Sequence, residues 1–244
     1  MENPIKQFEK ETRAEIKKMG NQSSLRDLAR AFIKETSAYR YSYHFSWLGR
    51  PIIQYPQDIL TMQEIIWNVK PDVIIETGIA HGGGLIFYAS LLELLKNGFV
   101  IGVDNDIRAH NRKEIEMHNL SGRIRMIEGS SIDPDVIKQI KRMTSGCKTI
   151  LVCLDSFHTQ EHVRMELELF APLVSKGSYI VVFDTVIEYM PKGFFKNRPW
   201  DKGNNPATAV RLFLKTNKTF IADREIDNKL LISVAPGGYL KKIA

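Results

Sequence analysis

The stretch Val73-Ile74-Ile75-Glu76-Thr77-Gly78-Ile79-Ala80-His81-Gly82-Gly83-Gly84 decides the fold. A short β-branched run ends in an acid, and four glycines follow within the seven residues from Gly78 to Gly84. An apolar run without polar alternation predicts a strand, Val73–Glu76, covered on both faces. The glycines predict a turn whose backbone approaches a ligand closely and adopts positive φ. A helix is expected next, near Gly84–Leu95. The same unit then recurs. Strands are predicted at Val100–Asp104, Ile124–Glu128, Thr149–Asp155 and Tyr179–Asp184, and helices near Arg108–His118, Asp133–Arg142 and Thr159–Ala171. Such alternation implies an α/β fold with a mostly parallel sheet and helices on both faces. A helix at about Pro206–Leu214 and strands at Phe220–Ala222 and Lys229–Val234, parted by the charged stretch Asp223–Asn228, predict a C-terminal antiparallel hairpin at one sheet edge.

Upstream the character changes. Asp58 is expected to cap a helix running to about Asn68, with Leu60, Ile65 and Ile66 inward. Tyr41–Gln57, rich in aromatics and with Pro51 and Pro56, reads as an ordered loop. Residues 1–40 are polar and helix-prone, with Leu28, Ala31 and Phe32 near helical spacing. This divides the chain into an N-terminal helical arm and aromatic loop, 1–57, and a principal domain, 58–244. The 244 residues carry 34 basic and 28 acidic side chains, a net charge of +6, and are 43% hydrophobic. A chain of this size buries roughly 70–75% of its unfolded surface and needs no disulfide or structural metal to fold. Cys147 and Cys153, six residues apart, are no disulfide framework. No apolar run reaches the ~18–20 residues of a membrane span. The opening Met1–Lys6 shows no apolar leader, and a cytoplasmic protein is expected.

In open α/β sheets ligands bind at the carboxyl ends of strands, so the residues ending each strand are the candidates. The first strand ends Glu76-Thr-Gly78, with Gly82 beyond. This is not the G-x-G-x-x-G dinucleotide pattern; it resembles the E/D-x-G-x-x-x-G loop of adenosylmethionine-dependent methyltransferases. The second ends at Asp104, 26 residues past Gly78, a spacing suited to ribose hydroxyls. The third ends Glu128-Gly-Ser130-Ser131, a polar turn able to meet an adenine edge, or one in which Ser131 caps the next helix. The fourth and fifth end at Asp155 and Asp184. As neighbours, these carboxylates would face one crevice and form a hard-cation site for magnesium (Mg2+). His158, three residues past Asp155, is placed to act as a general base. His158-Thr-Gln-Glu161-His162 also matches the H-x-x-E-H zinc-peptidase pattern, which needs both histidines on one helix face. No H-x-D or H-x-E element of an iron oxygenase occurs.

Taken together, Lys70–Gly78, His81–Gly84, Gly102–Asp104, Leu154–His158 and Asn204–Val210 resemble the cephalosporin hydroxylase family, a branch of the adenosylmethionine-dependent methyltransferases, and the related macrolide-sugar and rhamnosyl O-methyltransferases. The resemblance runs from about Phe45 to Val234. It implies a Rossmann-like class I methyltransferase sheet and transfer of a methyl group from S-adenosyl-L-methionine to a hydroxyl of a sugar, glycan or natural product. It further implies that Glu76, Gly78 and Gly82 hold the methionine part, Asp104 the ribose, and Asp155 and Asp184 a Mg2+, while His158 deprotonates the acceptor. The family often has two adjacent acids at the end of strand five. Here the first is Phe183, and Glu188 on the following loop is the nearest replacement.

The long stretch Thr185–Pro206, carrying Tyr189, Phe194, Phe195 and Trp200, reads as a substrate lid over a small-molecule or saccharide acceptor. The pI of about 9.2 raises nucleic acid as an alternative partner, with RNA methylation or plain binding as its forms. Lys and Arg are spread along the chain and no nucleic-acid-binding signature occurs. The aromatic segment Tyr41–Trp47 packs either on its own domain or on a second copy in a homo-oligomer.

Overall fold

A computed structural model describes residues 3–244; Met1 and Glu2, the start of the segment read as lacking a leader, lie outside it. Two helices open the chain, as expected. In α1 (Pro4–Gly20) the Asn3 side chain accepts the Ile5 amide and Pro4 occupies the first turn; α2 spans Ser23–Ser37. The aromatic segment is ordered and contains a small antiparallel hairpin, β1 (Phe45–Trp47) with β2 (Arg50–Ile52). Its turn residues Leu48 and Gly49 have φ of 45° and 86°, as a tight primed turn requires. The segment packs on its own chain. Tyr41 meets Phe32, Phe45 and Tyr55, and Trp47 stands edge-on to Phe87 at 4.9 Å while its indole N–H donates to Ser90.

Helix α3 (Pro56–Val69) begins after Tyr55, so Asp58 is not its cap. Asp58 is buried in the first turn and accepts hydrogen bonds from Ser233 Oγ (2.6 Å), Tyr239 OH (2.7 Å) and the Val234 amide (2.9 Å). Asp58, Met62, Ile65 and Ile66 share the buried face at helical spacing. Leu60, half a turn away, is 60% exposed rather than inward.

The sheet follows: β3 (Val73–Thr77), α4 (Gly83–Leu95), β4 (Phe99–Asp104), α5 (Ala109–Glu116), β5 (Ile124–Glu128), α6 (Pro134–Met143), β6 (Ile150–Leu154), α7 (Gln160–Phe170) and β7 (Tyr179–Val182). After α8 (Pro206–Thr216), β8 (Phe220–Ala222) and α9 (Arg224–Leu230), β9 (Tyr239–Lys242) closes the chain. The strand order is β5-β4-β3-β6-β7-β9-β8, parallel through β7, with β9 antiparallel to both neighbours. Alternate strand residues feed two cores. Ile74, Val100, Leu151 and Val181 join the one with α3 and α4; Val73, Ile75, Val152 and Ile180 join the one with α6, α7 and α8. Every residue of β3 and β6 is buried, at about 1.5–3 kcal/mol for each large aliphatic side chain, which fixes the strand ends in space.

The antiparallel edge stands, but Lys229–Val234 is not its strand. The Asp223 side chain accepts the amides of Glu225 and Ile226 and starts α9, so the charged stretch is helical. Asp58 then captures Ser233 and Val234, and pairing resumes only at Tyr239. Arg26 on α2 ties this region to the N-terminal helices by donating to Asn228 Oδ1 (2.8 Å). Both cysteines are free. No helix among the described residues is long and apolar enough to cross a membrane.

Candidate active site

The chain leaves β3 in one direction across the sheet and returns beside it as β6, so the switch point lies between these two strands. There the Asp155 amide donates to the Thr77 carbonyl (2.9 Å), bringing the glycine loop and the fourth strand end together. Gly78 has φ +90°, and a Cβ on it would lie 2.1 Å from the Asp155 carbonyl oxygen; only glycine fits. Gly82, at φ +83°, is the N-cap residue of α4 and abuts Ile115. Between them Ala80 is held at φ 47°. Its carbonyl accepts from Asn111 Nδ2 (2.9 Å), and the His81 carbonyl accepts from Arg50 Nε (3.0 Å) and Nη2 (2.6 Å). Arg50 also donates to Asn111 Oδ1 (2.9 Å), closing a clamp on the outside of the loop. The sequence reading missed both residues. Arg50 is 31 residues from its partner and carries no local signal, and Asn111 is a lone amide, buried beside Ile115 on the inner face of a mostly charged helix.

Asp104, last in β4, lines the adjoining cleft and braces the loop: Oδ2 accepts the Ile79 amide (2.7 Å) and Oδ1 the Asp106 amide (3.1 Å). Glu76 is 5% exposed, and its Oε2 has no hydrogen-bond partner. Burial, reinforced by the charge of Asp155, holds its pKa well above the usual carboxylate range. It lines a cavity of ≈ 40 Å³ together with Gly78, Gly84, Tyr88 and Asp155. Ser130 lies in the turn after β5 and faces the cleft. Ser131 does not cap α6. Asp133 does, and Ser131 Oγ sits 3.2 Å from His162 Nε2.

Asp155 follows directly on β6 and Asp184 stands two residues past the adjacent strand β7, and the two face one another across a half-buried pocket. Asp184 has φ 56°, a left-handed conformation unusual outside glycine, and its Oδ2 accepts from His158 Nε2 at 3.0 Å. One ligating atom from each of Asp155, His158 and Asp184 lies within 4.8 Å of the others. Burial and then the charge of Asp184 push Asp155 up to about 8. For His158, burial pulls the pKa down, but the charge and hydrogen bond of Asp184 outweigh it and the net shift is upward. Gln54, another residue without a sequence signal, donates to Asp155 Oδ2 at 3.4 Å.

Two minor alternatives of the sequence fall here. Glu188 does not replace the missing acid. It accepts from Asn205 Nδ2 (2.7 Å), the Gly203 amide (2.9 Å) and Arg211 (2.9 Å), tying the lid to α8, and Phe183 is buried in the core. The third member of the acid cluster is His158. Nor do the histidines of H-x-x-E-H converge. Thr159 caps α7, so His158 precedes the helix and turns to Asp184. His162, inside it, meets Ser131, Ser156 (3.1 Å) and the buried Glu166 (3.6 Å), and Glu161 is exposed.

These strand ends form the floor of a cleft of ≈ 1090 Å³. Tyr41 and Tyr55 line it from the N-terminal segment and Phe194, Phe195 and Trp200 from the 185–206 loop. Trp200 stands edge-on to His158 with ring centroids 4.8 Å apart. Tyr189 points elsewhere, beneath the Arg30 guanidinium. The loop is pinned by Asp201 Oδ2, which accepts the Gly193 amide (2.6 Å), and by the Glu188 bonds.

A family model described as rhamnosyl O-methyltransferase/CmcI matches residues 39–243. The rhamnosyl O-methyltransferase of Mycobacterium tuberculosis is 31% identical over 191 residues, 75% of this chain and 72% of the relative. That of Mycobacterium leprae is 29% identical over 148 residues, 60% of this chain and 62% of the relative. An apo-structure of CmcI superposes with a TM-score of 0.56 at 17% identity, covering 83% of this chain and 77% of that one. CmcI with magnesium and S-adenosylmethionine gives 0.54 at 17% identity, covering 83% and 78%. At such identities the structural likeness speaks for the fold.

Proposed function

We propose, for a chain that belongs to the rhamnosyl O-methyltransferase/CmcI family, that Asp155, His158 and Asp184 direct methyl transfer to a sugar hydroxyl. The protein is an S-adenosylmethionine-dependent O-methyltransferase. The observation that carries the finer reading is the meeting, at one switch point, of a glycine loop with a buried carboxylate that has one oxygen unpartnered and a histidine backed by an acid. The names of the mycobacterial relatives support a sugar as acceptor. So does the aromatic wall, since ring faces pack well on sugars.

The residues fit the cofactor. A buried carboxylate oxygen without a donor is costly, and Glu76 Oε2 in its small cavity calls for the ammonium end of a methionine. Gly78 and Gly82 shape the loop beside it. Asp104 and Ser130 lie along the cleft floor where the ribose and adenine would follow, and Asp155 faces both compartments. Bound there, S-adenosylmethionine supplies an already activated methyl group, so the protein's task is alignment. His158 takes the acceptor proton on the ring nitrogen that Asp184 leaves free. Asp184 holds the ring and stabilises the imidazolium once the proton arrives.

A divalent cation also fits. Asp155 and Asp184 are hard oxygen donors facing one pocket, and the upward shift of Asp155 marks a pocket short of positive charge. Bound there, Mg2+ supplies Lewis-acid stabilisation of a developing alkoxide. The 185–206 loop acts as the substrate lid, and the described part of the N-terminal arm, residues 3–57, completes the cleft of the 58–244 domain.

Isothermal titration with S-adenosylmethionine, with and without Mg2+, on wild type and Asp104→Ala tests this. Micromolar binding lost in the variant is expected. No binding at millimolar cofactor would sink the proposal.

A further inference from the structure

Apart from Arg108, which starts α5 just past Asp104, the cleft separates its charges. Its acids, Asp104, Asp155 and Asp184, are half-buried at strand ends. On the acceptor side Lys34, Arg40, Lys196 and Arg198 line the same cleft from exposed positions. These cations come from two segments far apart in sequence, the end of α2 and the lid, so the fold rather than a local basic run brings them together. Arg40 lies over the Tyr43 ring at 4.2 Å and Arg198 over the Trp200 ring at 5.2 Å. The same Trp200 stands against His158, so a fixed cation sits one aromatic ring away from the proposed base. Among the described residues neither arginine nor Lys196 forms an ion pair, and Lys34 meets only the exposed Glu35 at 3.4 Å. Left facing water, four like charges around one cleft repel each other; a bound anion removes that penalty.

Resting on the methyltransferase reading, we propose that the acceptor is a saccharide carrying a phosphoryl or diphosphoryl group. A neutral glycoside would leave all four cations unused, and a single carboxylate would engage few of them. Phosphoryl oxygens match both the charge and the planar donors of two arginines. The sugar face lies on the aromatic wall, its hydroxyl meets the Asp155–His158–Asp184 cluster, and the phosphoryl group stays at the Lys34, Arg40, Lys196 and Arg198 side. In the reaction the sulfur–methyl bond breaks with its electron pair remaining on sulfur. The methyl–oxygen bond forms, the hydroxyl proton passes to His158, and the phosphoryl group is unchanged. A polynucleotide is disfavoured because these cations converge on one cleft instead of continuing as a stripe.

The test is calorimetric titration of the protein loaded with S-adenosylhomocysteine, using inorganic pyrophosphate and UDP-glucose as probes, with methyl glucoside, glucuronate and a single-stranded oligonucleotide for comparison. Pyrophosphate and UDP-glucose should saturate, and both should weaken as salt is raised. In Arg40→Ala/Arg198→Ala their affinity should fall about tenfold or more, the loss of charge-assisted hydrogen bonds, while S-adenosylhomocysteine binds as before. The proposal is overturned if S-adenosylhomocysteine binds but pyrophosphate and UDP-glucose do not at millimolar concentration. It is equally overturned if methyl glucoside or glucuronate binds as well as they do, if the oligonucleotide binds more tightly, or if the double variant matches wild type. Failure of S-adenosylhomocysteine to bind is a different result and overturns the methyltransferase reading together with this one.

Discussion

The cofactor loop and the acceptor wall are built in opposite ways. The loop is one contiguous piece, Glu76 to Gly84, shaped by its backbone: positive φ at Gly78, Ala80 and Gly82, with carbonyls and amides gripped by Arg50, Asn111 and Asp104. The wall is assembled from side chains of α2, the aromatic segment and the 185–206 loop, held by a few contacts through Glu188 and Asp201. A change in the loop therefore reaches the sheet, whereas a change in the wall stays where it is made.

Gly78→Ala is the hardest test of that contrast and carries the largest expected effect. The new methyl would collide with the Asp155 carbonyl from a backbone conformation that alanine resists. Strain and displacement of the β6 end should cost on the order of 3 kcal/mol or more. Both the melting temperature and S-adenosylmethionine affinity should drop. A variant that kept wild-type values of both would mean that the loop yields as easily as the wall. His158→Ala comes next and belongs to neither half. The ring is largely buried but bonded only to Asp184, so folding and cofactor binding should persist while kcat falls about 10²–10⁴-fold. Single-turnover methyl transfer reads this directly, and an unchanged rate removes His158 from the chemistry.

The contrast also explains what the sequence could convey. Val73–Gly84 announces strand, turn and ligand contact within a dozen residues because local backbone demands dictate its composition. Asp104, Asp155 and Asp184 were legible by the same logic, since each lies at or just past a strand end and strand ends define the crevice. What was missed depends on long-range approach. Arg50 reaches the loop across 31 residues, Gln54 reaches Asp155 across 101, and neither belongs to a motif. Glu188 was the nearest acid in sequence to the missing one at 183, yet the capping residue Asn205 claims it. The C-terminal strand was misplaced because Asp58, read as a cap, spends its carboxylate on Ser233, Val234 and Tyr239.

That carboxylate gives the next prediction, which probes the foundation beneath the loop. Burial pushes Asp58 up to about 6 from an ordinary 3.8, against the pull of its three hydrogen bonds. Between pH ~4 and ~6 the native state thus keeps a proton that the unfolded chain has released. The stability contributed by this group is full below pH ~4 and is lost as pH rises through ~6, about 3 kcal/mol in all. Denaturant unfolding of wild type and Asp58→Asn between pH 4 and 7 should show wild type losing stability relative to the variant by that amount. A constant difference across the range would mean that Asp58 ionises in place as it does in the unfolded chain.

Trp200→Ala carries the smallest effect and bears most directly on the wall. Trp200 touches His158 and Phe157 edge-on and underlies Arg198, and it takes no part in the sheet or the glycine loop. An aromatic contact of this kind contributes ~0.5–1.5 kcal/mol beyond area burial, so the acceptor KM should rise roughly 2–10-fold. Cofactor affinity and melting temperature should not move. Trp200→Phe keeps a ring face at the same place and should recover most of the loss, which separates packing on the acceptor from a polar role of the indole N–H. If cofactor affinity fell along with acceptor affinity, the two halves of the cleft would be one mechanical unit. The wall would then have to be understood, like the loop, as part of the sheet that carries it.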